Sequence, residues 1–130
     1  MITLETLPQA TAQEVFDQIT QHLIRQGKAA KSATGACRYR VETAEGVLKC
    51  AAGCLIADEE YDRLFENVAW DGLVNDGKVP GQHAQLIWQF QRVHDRELPE
   101  YWPHYFKGIA AEHRLQYNPP QPIIIGSKNL

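Results

Sequence analysis

Few residues in this chain could do covalent or metal chemistry. They are Cys37, Cys50 and Cys54, five histidines, and an acidic run at Asp58, Glu59 and Glu60. The cysteines are spaced C-x12-C-x3-C, with no C-x-x-C pair. Zinc takes four ligands, so His22, His83, His94, His104 or His113 would have to complete a site, and none stands at finger spacing. Free cysteine is among the most buried residue types, so all three are expected as small core residues, with no metal or cofactor. A cysteine-dependent hydrolase or transferase would pair Cys54 with His94 as nucleophile and base. His94-Asp95 is the candidate acid-base dyad on a helix, but adjacent helical side chains point about 100° apart, which predicts that the two do not orient each other.

The acidic run reads as the solvated first turn of a helix, where the dipole favours carboxylates. Consecutive helical acids do not converge on one cation, so no divalent-metal site is expected there. Phosphate-binding glycine loops, His-Glu-x-x-His and Gly-x-Ser-x-Gly are all absent from the sequence. Arg25, Lys28, Lys31, Arg38 and Arg40 form a stretch without an acid. The chain as a whole carries a formal charge of −3, which disfavours a general nucleic-acid binder. A nucleotide or nucleic-acid module using Arg38, Arg40 and Lys49 is a further alternative, weakened because Tyr39 is predicted on the inner face and cannot serve as a stacking platform.

These residues need elements to position them. Thr11-Ala12-Gln13-Glu14 has the form of a capping box, and Val15, Phe16, Ile19 and Leu23 follow at helical spacing to a stop at Gly27. The first helix is therefore predicted over 11–26. Tyr39 and Val41 alternate with Arg38 and Arg40, and Thr43-Ala44-Glu45-Gly46 makes the turn of a β-hairpin with Gly46 at positive φ. That fold sets Val41 opposite Leu48, Tyr39 opposite Cys50, and Arg40 opposite Lys49, the last a mildly unfavourable pair. Cys37 is expected on the same apolar face as Cys50, diagonally and too far for a disulfide. Residues 50–56 read as a short buried helical turn, with Gly53 marking a close backbone approach. A helix capped by Asp58 is expected over 58–67, with Tyr61, Leu64 and Phe65 inward and Glu59, Glu60, Asp62 and Arg63 outward. A short segment around Trp70, a strong helix over 82–98 with Leu86, Ile87, Phe90 and Val93 inward, and a last helix over 103–115 complete the set. Trp70, Trp88 and Trp102 are expected at core or boundary positions.

At 130 residues, 44% apolar and 22% charged, the chain is expected to be one domain with a core of its own. The predicted class is α+β: a β-hairpin packed on four to five helices, residues 1–130, with an extension over 1–10 and an extended tail over 117–130. The tail carries Ile123-Ile124-Ile125, too apolar to be left in solvent. No apolar run reaches the roughly 18–20 residues of a membrane span, and Met1 to Glu5 lack the basic start of a secretory signal. Reduced thiols in a cytoplasm are the simplest account of an odd cysteine count.

Cys37-Arg38-Tyr39-Arg40, Gly46 through Ile56, and Asp58-Glu59-Glu60-Tyr61 together resemble a family of small proteins from bacteriophages, prophages and bacteria. Gln91-Arg92-Val93-His94-Asp95 and the run from Trp102 through Ile109 to Leu115 fit the same pattern, so the resemblance spans about residues 11–115. The family usually has a proline where this chain has Ala57, and a shorter turn where it has Glu42 to Glu45. The resemblance implies a phage or mobile-element setting and no activity. The function expected is a non-catalytic interaction protein that binds a host or defence protein through charged outer faces. Those faces are Arg38, Arg40 and Lys49 on the hairpin and Asp58, Glu59, Glu60 and Asp62 after it.

Overall fold

The computed structural model describes residues 1–119, so Ile123 to Ile125 lie outside the described residues. The fold is α+β, with four α-helices and one two-stranded antiparallel hairpin among the described residues. Helix α1 spans Ala12–Gln26. Its capping box is present: Thr11 Oγ1 accepts from the Glu14 N–H at 3.1 Å, and Glu14 Oε1 accepts from the Thr11 N–H at 2.8 Å. It ends at Gly27, whose φ of 73° is the left-handed value that glycine adopts without strain.

Strands β1 (Arg40–Thr43) and β2 (Gly46–Lys49) pair in the predicted register, Val41 with Leu48 and Arg40 with Lys49. Cys50 N–H donates to the Tyr39 carbonyl, so the pairing continues one step inward. The next residues close a 3-10 turn at Gly53–Leu55. A β-carbon on Gly53 would collide with the Tyr39 carbonyl oxygen, which gives the close approach its physical cause.

Residues 58–67 do not form the predicted α-helix. They make two 3-10 turns, Asp58–Glu60 and Arg63–Phe65, separated by extended backbone at Tyr61 and Asp62. Two carboxylates pull the segment apart. Glu60 reaches back to the backbone N–H groups of Leu4, Glu5 and Ala57 at 2.9, 3.0 and 2.9 Å. Glu66, buried, accepts from the N–H groups of Tyr39 and Arg40 and from the Tyr61 hydroxyl. These long-range bonds replace the i to i−4 ladder that local propensity favours.

Helices α2 (Trp70–Asn75), α3 (Ala84–Arg96) and α4 (Trp102–His113) follow. The apolar stripe of α3 is the predicted one, Leu86, Ile87, Phe90 and Val93, and it is buried. Phe16 of α1 meets Phe90 of α3 edge-on at 5.3 Å, and Phe90 meets Phe106 of α4 at 5.4 Å. Tyr117 touches both Phe16 and Phe106, at 6.1 and 5.9 Å, closing a ring of aromatics. Leu7, ahead of α1, is fully buried in the same core. No helix among the described residues is long and apolar enough to cross a membrane.

Candidate functional site

Cys37 stands apart from its expected place on the hairpin face. It forms an isolated antiparallel bridge with Lys31, and its sulfur clusters with His94 and Asp95, their ligand atoms all within 4.8 Å of one another. It is thus Cys37, not Cys54, that meets His94. The expectation that His94 and Asp95 cannot orient each other is also overturned: His94 Nδ1 lies 2.7 Å from Asp95 Oδ1. Gln91, one turn earlier, donates to the same carboxylate at 3.2 Å and holds it against the ring.

His94 itself lies in the core. It is 1% exposed and stacked on Trp102, with ring centroids 5.8 Å apart and planes at 26°. Its Nε2 accepts from the backbone N–H of Ala30 at 2.9 Å. An accepting Nε2 puts the proton on Nδ1, where Asp95 receives it. Both ring nitrogens are therefore occupied, and neither has a lone pair free for a substrate proton or a metal ion. Burial, and after it the charge and hydrogen bonding of Asp95, pushes the Cys37 thiol up to about 11. A nucleophilic cysteine needs the opposite shift. The cluster is one donor short of zinc's four, and its histidine lone pair is already taken. What it does is clamp the 28–37 loop onto α3.

Cys54 sits elsewhere, in a groove of about 830 Å³ between α1 and the hairpin that His22 and Gln18 also line. Its thiol donates to the Ala51 carbonyl at 3.1 Å, and desolvation raises its pKa. Desolvation raises the buried Cys50 thiol likewise, to about 12. His22 faces the Lys49 carbonyl at 2.8 Å, and burial lowers its pKa.

The predicted charged faces are stitched together. Arg40 Nη1 donates to Asp58 Oδ1 at 2.5 Å, and Lys49 Nζ lies 3.4 Å from the same oxygen. Asp58 thereby relieves the Arg40–Lys49 pair, and those two cations hold its carboxyl below the usual range, Arg40 first. Glu60 is bound to the backbone rather than presented to solvent. Glu59 and Asp62 remain exposed, and Arg38 is half-buried in a different place.

That place is a cleft of about 300 Å³ between the 37–39 segment, residues 66–70 and α3. Arg38 lines it from one side and Arg92 and Arg96 from the other, with Trp70 and Trp88 also in its wall. Trp88, Arg92 and Arg96 fall at i, i+4 and i+8, so they form one ridge along the outer face of α3. Trp88 is 43% exposed, and the Arg92 guanidinium lies 4.9 Å from its ring centroid. Beyond the ridge runs a second groove, about 710 Å³, between α3 and α4, with Tyr105 and Ile109 in its wall. Among the described residues none of Arg38, Arg92 and Arg96 makes an ion pair. Arg92 and Arg96 were legible as the polar complement of the Leu86–Phe90–Val93 stripe, whereas Trp88, expected at a core or boundary position, is exposed. Glu66 carried no local signal, because its backbone partners lie 26 and 27 residues away.

The chain matches no protein-family model, no curated protein and no solved structure.

Proposed function

We propose that this chain is a non-catalytic interaction protein that binds a protein partner, of host or defence origin in the phage-like setting that residues 37–61 resemble. The observation that carries it is the exposed ridge of Trp88, Arg92 and Arg96 on α3, with concave surface on both sides. Tryptophan, arginine and tyrosine are the residue types that dominate binding energy at protein interfaces, and here they are presented on a rigid helix. Free cysteines fit a reducing cytoplasm. The cysteine-enzyme alternative gains less support, because Cys37 rather than Cys54 clusters with His94 and burial raises the Cys37 thiol.

The test is a pull-down from the natural host with the wild-type chain and variants of it. The double variant Trp88→Ala/Arg92→Ala should keep its melting temperature and lose the partner. Cys54→Ala should be less stable and keep the partner in its folded fraction. Retention of the partner by the ridge variant, with loss in Cys54→Ala, sinks the proposal.

A further inference from the structure

The ridge divides two concavities of different chemistry. The cleft on the Arg38 side holds two acids: both Glu66 oxygens are hydrogen-bonded, to Tyr39, Arg40 and Tyr61, and Asp95 uses Oδ1 on His94 and Gln91. Among the described residues none of its three guanidiniums makes an ion pair, so the cleft presents unpaired fork-shaped donors.

Trp70, which lines the same cleft, is 1% exposed, and its indole N–H is the one buried side-chain donor without a partner among the described residues. A buried donor left unpaired is destabilising, and in native structures such a group calls for an explanation, such as a bound water or ligand. Asn67, in the same wall, holds a φ of 67°, a left-handed value that asparagine adopts more readily than most residues.

Resting on the partner-binding proposal, we infer that this cleft seats a side-chain carboxylate of an acidic segment of the partner, with a neighbouring apolar side chain crossing the Trp88 ridge into the α3–α4 groove. Guanidinium and carboxylate match in plane and spacing, so Arg38 and Arg92 or Arg96 can each offer a two-point contact. The α3–α4 groove supplies the apolar half through Val93, Tyr105 and Ile109. A nucleic-acid strand fits less well. Its phosphates are continuous, whereas in the α3–α4 groove Arg92, Arg96 and Lys107 are interrupted by Glu97 and Glu112, so there is no unbroken basic track for it to follow.

The test selects random displayed peptides on the immobilised full chain, then titrates the enriched peptides by fluorescence anisotropy. Enriched sequences should pair Asp or Glu with a nearby apolar residue. Replacing their acids by Asn or Gln should abolish binding, and added salt should weaken it. Arg38→Gln, Arg92→Gln and Arg96→Gln should each weaken binding about tenfold with unchanged melting temperature. Trp70→Phe, which keeps an aromatic ring but deletes the donor and leaves a small cavity, should weaken it severalfold and also lower the melting temperature. Peptides without acidic bias, or equal affinity for the arginine variants, overturn the carboxylate inference while the partner-binding proposal stands. No enrichment at all, or tighter binding to a single-stranded oligonucleotide than to any acidic peptide, also overturns it. The pull-down above then decides the parent proposal separately.

Discussion

The backbone N–H of Ala30 donates to Nε2 of His94 at 2.9 Å, across 64 residues of sequence. That one bond fixes the tautomer of His94 and ties the loop after α1 to the last turns of α3. It also takes from His94 the free nitrogen that a general base would need. Loss of the acceptor would leave the Ala30 N–H buried and unpaired. His94→Phe, which fills similar volume, should therefore cost about 1–3 kcal/mol in chemical denaturation. A change within about 0.5 kcal/mol would mean that the loop finds another acceptor.

Glu66 makes the corresponding bonds on the other side of the hairpin, to the N–H groups of Tyr39 and Arg40 and the hydroxyl of Tyr61. Glu66→Ala leaves donors with no protein acceptor near the buried end of β1. It should cost more than about 3 kcal/mol, because hydrogen bonds to a charged group are each worth about 1.5–3 kcal/mol. Glu66→Gln keeps the shape and part of the bonding, so it should fall between Glu66→Ala and wild type. Equal stability of Glu66→Ala and wild type in urea would refute the clamp.

The aromatic ring sets the third expectation. Phe16→Ala, Phe90→Ala and Phe106→Ala should each cost about 3–5 kcal/mol. Each of the three is fully buried and has two aromatic neighbours in the ring, so the three costs should be similar. The Phe16→Ala/Phe90→Ala double variant should be less destabilised than the sum of its singles, since the shared contact is lost only once. Thermal and urea unfolding of the four variants checks both statements.

The thiols give a pH dependence whose sign follows from their direction. Cys37 rises from an ordinary 9.0 to about 11 and Cys50 to about 12, so the folded chain holds these protons more tightly than the unfolded chain. Their contribution is fully present below pH 9. It is lost as the pH rises from about 9 through 11 to 12, because only the unfolded thiols ionise at the start of that window. Stability measured in urea should fall over this range, and Cys37→Ser should flatten its lower part. Native protein at pH 8 should react slowly with a thiol reagent, and denatured protein should titrate three free thiols. Fast labelling of Cys37 at pH 8 would contradict the raised value.

Much of the fold was written locally. Thr11, Glu14 and Gly27 delimit α1, because caps act within a turn of the backbone they satisfy. The alternation around Gly46 sets the hairpin register, because one slip would expose Val41 and Leu48. The phenylalanine stripes mark the inward faces by period alone. The tertiary structure decided what local pattern could not. Residues 58–67 have a helix's composition and make two 3-10 turns, because Glu60 and Glu66 gain more from distant backbone N–H groups than the segment gains from its own ladder. Cys37 meets His94 and Asp95 through a loop whose path no periodicity specifies. Arg38 joins Arg92 and Arg96 at one cleft only because the hairpin's entry lies across α3. Side-chain period decides which way a residue faces; which residue it then faces depends on how the elements cross, and that is set by the packing of the whole core.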